Sequence, residues 1–329
     1  MNKLLVTFTI NIGGHSISLD KRSVEAHSDF ISHAHTDHIT AAKKSSGIIA
    51  SMETVALIRE AYNIKPKISG FNLDIELLDS GHMLGAKQIY INNNDYENIV
   101  YSGDYTLHNI ETAKKIRIPH ADIAIVDSTY PYPSIKFDDR EYQKNCMLEW
   151  IDHMKDRGIV LFSAFAMGKA QELVSILNGN GIIPIVSPKI AKINKVYGSF
   201  GVKLEYNTYG DMDYDEKLKD NFVGIVDTRK IFELSYALKN IHKKEVYTAI
   251  ATGFSKFMRF NTDAQFALSD HADFDQATSY IDEVGAKRIF TYGQNKEVFA
   301  KNLKARGYNA EAFKESIKIS KKITMLSAI

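Results

Sequence analysis

His33-Ala34-His35-Thr36-Asp37-His38 sets three imidazoles and a carboxylate inside six residues, and this stretch decides how the rest of the chain is read. Histidine is the commonest side-chain metal ligand near neutral pH, and clustered imidazoles make poor core material without a cation between them. Phe30-Ile31-Ser32 ahead of the cluster begins apolar and the chain behind it turns polar, so the stretch reads as a strand running out into a loop. Continued extension puts His33, His35 and Asp37 on one side and His38 on the other. A cluster with two faces points to two metal ions. A solvated surface loop is the plain alternative, and it leaves unexplained the isolated His and Asp residues that follow.

Those residues sit in four further strand ends. Ser80-Gly81-His82-Met83-Leu84-Gly85 follows a predicted strand at Ile75–Leu78, and Tyr101-Ser102-Gly103-Asp104-Tyr105 follows one at Asn98–Tyr101. Val126-Asp127-Ser128 ends the strand Ile123–Val126, and Ser269-Asp270-His271-Ala272-Asp273 follows Phe266–Leu268. Each alone is an ordinary turn. Five strand-end loops carrying ligand types point to one site gathered at one end of a sheet.

The chain of 329 residues is 44% apolar and 25% charged, which places it among globular proteins rather than disordered ones. A formal charge of +1 advertises no global affinity for polyanions, although locally basic stretches remain. Cys146 is the single cysteine, which excludes an internal disulfide and any multi-thiolate zinc site, so metal must rest on His, Asp or Glu. The run Leu4–Ile12 is short and β-branched and reads as a first strand rather than a secretory leader. No stretch approaches membrane-span length, and the expected setting is cytoplasmic.

Further strands are predicted at Ser16–Leu19, Asp29–Ser32, Ile48–Ala50 and Gln88–Ile91, and a helix at Met52–Tyr62 whose Val55, Leu57, Ile58 and Ala61 share one side. After Tyr130-Pro131-Tyr132-Pro133 the pattern changes. Helix Asp139–Arg157, strand Ile159–Phe162, helix Lys169–Leu177, strand Ile182–Val186 and helix Ile190–Tyr197 alternate, the pattern of a parallel α/β sheet. Strands at Glu245–Ala251 and Arg288–Thr291 and helices at Ala277–Val284 and Lys296–Arg306 complete the reading.

H-x-H-x-D-H at 33–38, Gly81-His82 and Gly103-Asp104 resemble, in order and spacing, the metallo-β-lactamase fold. Asp127 and His271, with an α/β segment between them, are similar to its β-CASP branch of nucleic-acid-processing enzymes. Gly81-His82-x-x-Gly85-Ala86-x-Gln88 and Phe165-Ala166-Met167-Gly168-Lys169-Ala170-Gln171-Glu172 resemble stretches of the pre-mRNA 3′-processing endonuclease, its archaeal relatives and compact DNA-ligase-associated exonucleases. The resemblance runs from about Asp20 to about Ala300. It implies an α/β protein: an αββα metallo-β-lactamase sandwich from residues 1–132 and 250–329, with a β-CASP domain inserted at 133–249.

The resemblance also implies roles. His33, His35 and His82 bind one zinc, Asp37 and His38 a second, and Asp104 bridges them; manganese accepts the same ligands. Asp20 supports the loop without touching metal. Asp37 belongs to the catalytic set with Asp127 and His271, in which metal-activated water attacks phosphorus, His271 acts as general acid and Asp127 fixes its tautomer. Where RNA-processing members carry Val-His-Gly, whose His completes the second site, this chain has Thr291-Tyr292-Gly293, with Tyr292 either a poorer ligand that weakens the second site or an aromatic packed beside it. Gly168 and Lys169, at a predicted helix start, form a candidate phosphate seat. Lys189, Lys192 and Lys195 near Tyr197, and Lys256 among Phe254, Phe257 and Arg259, could line a strand-binding groove or simply face solvent. The expected substrate is single-stranded RNA or DNA, cleaved exo- or endonucleolytically, with no membrane partner. Oligomeric state is left open, a homodimer included. Two other classes stay in view: a small-molecule metallo-hydrolase of thioesters or lactones, and a catalytically weakened partner subunit that binds nucleic acid. Asp127, His271 and the intervening segment argue against the first, and a nearly intact ligand set against the second.

Overall fold

Ile159-Val160-Leu161-Phe162-Ser163-Ala164 is apolar almost throughout and every one of its residues is buried, as in a strand covered on both faces. In the computed structural model, which describes residues 8–45, 47–69, 74–92, 94–209 and 220–319, it is β9 of an all-parallel sheet. Its neighbours are β10 (Ile185–Val186), β11 (Asn207–Thr208), β12 (Val223–Asp227), β13 (Val246–Ala251) and β14 (Ala264–Phe266), in the order β11-β10-β12-β9-β13-β14. Helices α2 (Arg140–Lys155), α3 (Lys169–Asn178) and α4 (Pro188–Ser199) share one apolar cluster with Val160, Phe162 and Ala249. Helix α5 (Ile231–His242) packs with Ile159, Leu161 and Val246 in another. The parallel sheet predicted from helix–strand alternation is therefore present, and it continues past residue 249, through the end of β13 to β14. Strand β12 and helix α5 escape the sequence reading, because Gly224 and a polar approach hide the apolar run.

Two further sheets pack face to face. One contains β1 (Thr9–Ile12), β2 (His15–Leu19), β3 (Ser28–Phe30), β4 (Ile48–Ile49) and β17 (Ser316–Lys318), in the order β17-β1-β2-β3-β4. The other contains β5 (Ile75–Asp79), β6 (Lys87–Ile91), β7 (Ile99–Tyr101), β8 (Ile123–Asp127), β15 (Arg288–Tyr292) and β16 (Ala310–Ala312), in the order β16-β15-β8-β7-β6-β5. Ile10, Ile17, Leu19 and Phe30 from the first meet Ile89, Tyr101, Ile125 and Tyr292 from the second in a common core. The outer face of the second sheet presents Val100, Ala124 and Val126 to α6 (Phe274–Val284) and α7 (Lys296–Ala305). Of the strand expected over Leu4–Ile12, residues 4–7 lie outside the described residues.

Helix α1 (Met52–Tyr62) follows the predicted limits, closed by Ser51 at its N-cap and Asn63 in the left-handed conformation at its end. Its start also locates a loop of the site. Ser51 and Thr54 hydroxyls donate to the Gly85 carbonyl at 2.7 and 3.0 Å. Gly85 has φ +75°, and a Cβ there would stand 2.4 Å from Glu53 Cβ, so only glycine lets the His82 loop lie this close to α1. Gly85→Ala is therefore expected to cost about 2 kcal/mol of stability, read as a lower urea midpoint at unchanged m-value.

Candidate metal centre

The chain does not stay extended after β3. The His38 amide donates to the His35 carbonyl at 3.0 Å, a turn that swings the His38 ring to 4.2 Å from that of His33. The two-sided arrangement expected from strand alternation is thus replaced by a curl that gathers the imidazoles. Asp20, at the end of β2, anchors the curl. Its carboxylate accepts from Ser32 N at 2.7 Å, Ser32 Oγ at 2.8 Å, His38 Nδ1 at 2.8 Å and the Tyr101 hydroxyl at 2.7 Å.

Each imidazole of the cluster has one nitrogen committed elsewhere. The Ser32 hydroxyl, donating to Asp20, accepts from His33 Nδ1 at 3.0 Å. His35 Nε2 donates to the Met167 carbonyl at 3.2 Å and His82 Nδ1 to the Asp270 carbonyl at 2.9 Å. His33 Nε2, His35 Nδ1 and His82 Nε2 are left with bare lone pairs facing one another. His35 Nδ1 lies 3.0 Å from His33 Nε2 and 3.4 Å from His82 Nε2, while Asp104 Oδ2 lies 3.5 and 3.9 Å from the same two atoms. Four ligands about 2.1 Å from a tetrahedral ion would be separated by roughly 3.4 Å, so this donor set fits a divalent metal. Facing lone pairs repel unless a cation lies between them. Burial, reinforced by neighbouring imidazoles, pushes His33 and His82 well below the usual histidine range, and burial also lowers His35, which keeps them in the neutral form a metal needs.

The residues expected at a second ion gather less tightly. His38 Nε2 is 3.5 Å from Asp104 Oδ2 and 3.3 Å from Asp37 Oδ2. The Asp37 side chain is 77% exposed, and its contact with His38 holds its carboxyl below the usual range. Burial opposes charge on His38, but Asp104 and Asp20 outweigh it and raise it well above the ordinary value. Burial pushes Asp104 itself up to about 6, against the pull of His38 and His271. Tyr292 offers this group nothing direct. It is buried at the end of β15, edge-on to Tyr101 at 5.1 Å and Phe8 at 4.8 Å, and its hydroxyl donates to the Leu19 carbonyl at 3.4 Å.

On the other side of Asp104 stands His271, with Nε2 3.9 Å from Asp104 Oδ2 and Nδ1 3.1 Å from Asp127 Oδ2. Asp127 is itself held by the Thr129 amide and hydroxyl at 3.1 and 2.9 Å. Burial disfavours the His271 cation, but Asp104 and Asp127 prevail and push it up to about 9.

The expected phosphate seat is a different structure. Lys169 is buried, its Nζ donating to Glu172 Oε2 at 2.6 Å and to the Leu268 carbonyl at 3.0 Å, with Asp270 Oδ2 at 3.7 Å. Burial, resisted by Asp270, lowers it to about 8. The Gly168 amide is taken by Gln171 Oε1 at 2.8 Å. Both residues therefore brace the site from behind, with no free face for substrate. Tyr197, proposed beside the lysines of α4, is fully buried, and Lys189 pairs with Asp227 at 2.9 Å. Sequence reasoning missed Asp270. Its carboxylate groups with His82 and His271, and Lys169 and both imidazoles hold it below the usual range despite burial. The signal lay in the motif itself, where Asp273 is the N-cap of α6 and Asp270 has no such duty.

No protein-family model matches the chain. It is 25% identical over 275 residues to a probable DNA ligase of Opitutus terrae, covering 80% of this chain and 26% of that protein. An uncharacterized protein in the lig 3′ region of Acidianus ambivalens is 31% identical over 133 residues, 39% of this chain and 89% of its own length. An RNase J-like protein of Methanocaldococcus jannaschii is 28% identical over 156 residues, 45% of this chain and 35% of that protein. The chain thus spans about a quarter of the ligase and a third of the RNase J-like protein. The fold is similar to that of a protein of unknown function from Enterococcus faecalis V583, with a TM-score of 0.58 at 14% identity over 90% of this chain and 80% of that one. The relatives named as a probable DNA ligase and as RNase J-like support, at low identity, the metallo-β-lactamase and β-CASP resemblance.

Two outcomes follow. Removing the buried acceptor in Asp20→Ala leaves four donors unmatched and is expected to lower stability by about 3–5 kcal/mol in urea unfolding. His82→Ala deletes one donor of the candidate set, so its loss of divalent-metal affinity, measured with zinc by chelator competition, should exceed the ~10–100-fold typical of an outer partner, and Asp37→Ala should lose less.

Proposed function

The chain belongs to one family with the lig 3′-region protein of Acidianus ambivalens, and from that premise we propose that it is a metal-dependent nuclease of single-stranded RNA or DNA. We read the two facing sheets, built from β1–β8 and β15–β17, as the metallo-β-lactamase sandwich, and the segment from 133 as the inserted β-CASP unit, whose parallel sheet runs past the expected limit of 249 to Phe266. The relatives named as RNase J-like and as DNA ligase support a nucleic-acid substrate. No helix among the described residues is long and apolar enough to cross a membrane.

The observation that carries the reading is the direction of His271. Braced by Asp127 through Nδ1, it turns Nε2 toward Asp104, the carboxylate shared with the histidine cluster. A phosphodiester seated there meets a proton donor on one side and the ligand set on the other. His33, His35, His82 and Asp104 would hold one divalent ion, and His38 with Asp37 a second, more exposed one. Bound metal supplies Lewis acidity to a phosphoryl oxygen and acidifies water. His271, charged at neutral pH, delivers its Nε2 proton to the departing ribose or deoxyribose oxygen, and Asp127 stabilises the cation and keeps Nε2 aimed. Asp270 anchors His82 through its carbonyl and, with Lys169 behind it, fixes the His271 loop.

His271→Ala is expected to slow cleavage of end-labelled single-stranded RNA or DNA by about 10²–10⁴-fold with metal content unchanged, and chelation should abolish it. Cleavage of neither nucleic acid by the metal-loaded protein overturns the nuclease reading, and undiminished cleavage by the variant removes His271 from the mechanism.

A further inference from the structure

A line of aromatic rings leads from the site to the surface. The Tyr130 ring lies 6.2 Å from that of His271, Phe254 lies 5.6 Å from Tyr130, and Phe257 lies 5.8 Å from Phe254. Tyr130 is buried at the root of the line, whereas Phe254 is 38% exposed, Phe257 51% and the adjoining Met258 47%. The rings ride on a short 3-10 turn, Gly253–Lys256, pressed onto Tyr130 so closely that a Cβ on Gly253 would stand 2.2 Å from the Tyr130 hydroxyl. Thr252 caps the turn through Phe254 N, and Phe257 N closes it on the Phe254 carbonyl at 3.1 Å. The exposed rings are therefore held in place beside the proton donor.

Contiguous exposed apolar surface next to a polar site marks a contact surface, and flat rings at its centre fit a planar partner. Charge narrows the choice. Arg259 is exposed and forms no ion pair among the described residues, while Lys256 is fixed by both Asp138 oxygens at 3.0 Å. An aromatic face with a free cation beside it suits a nucleobase attached to a phosphate.

We propose that Phe254 and Phe257 form a base-stacking subsite that grips a nucleobase of the strand next to the phosphate facing His271. The inference rests on the nuclease reading and adds to it a requirement for bases as well as phosphates. It is tested in the His271→Ala background by binding of fluorescein-labelled single strands of one length, either base-bearing or abasic throughout. Phe257→Ala is expected to weaken binding of the base-bearing strand about 5- to 150-fold, to leave the abasic strand unchanged, and to be rescued by Phe257→Trp. Equal loss on both strands, or no loss, overturns the subsite while leaving the nuclease reading intact. Failure of the His271→Ala protein to bind any strand overturns both. Self-association that Phe257→Ala disrupts, with strand binding unchanged, assigns the rings to a protein interface and also overturns the subsite.

Discussion

One buried carboxylate holds the centre together. Asp20 ends β2 in the left-handed conformation, φ +52°, and its two oxygens take four donors from three different segments. Ser32 ties it to the loop after β3, His38 to the far end of the histidine curl, and Tyr101 to the opposing sheet. A fully buried anion is tolerated only where its lone pairs are matched in this way. The same bonds set the direction of His38 and, through the Ser32 hydroxyl, of His33, so the joint between the sheets and the aim of two imidazoles are one piece of structure.

Electrostatics across the site divide by distance from that joint. Burial holds His33, His35 and His82 below the usual histidine range, and at His35 and His82 it outweighs the nearby Asp270 carboxylate. His38 faces Asp20, Asp37 and Asp104, His271 faces Asp104, Asp127 and Asp270, and both are pushed toward the cation against burial. Asp104 Oδ2 lies within 3.9 Å of a nitrogen from His33, His38, His82 and His271, so it stands between the candidate ligand set and His271.

Much of this was legible in the sequence, for local reasons. The ligand types cluster in short strand-end loops, and the apolar periodicity of α1 and the unbroken run of β9 reflect burial that the chain itself encodes. What was not legible depends on tertiary placement. Whether His38 faces with or against His33 is set by a turn that closes on itself. Gly-Lys at a helix start looks the same whether the lysine meets solvent or, as at Lys169, is buried against Glu172. Tyr292 could be read as ligand or packing, and only its place between Phe8 and Tyr101 marks it as core. Asp270 was masked by its neighbour, since a His between two Asp draws the eye to the imidazole.

Two of the three neutral imidazoles take their orientation from loops that leave the parallel sheet: His35 from the Met167 carbonyl after β9, and His82 from the Asp270 carbonyl after β14. Arg140, Glu172 and Lys169 clamp those loops to each other behind the site. Any widening of the seam between the parallel sheet and the paired sheets must release both rings together. Affinity for any ion held by this donor set would therefore be linked to seam width: whatever pries the seam open would loosen the ion, and a bound ion would resist the prying with equal free energy.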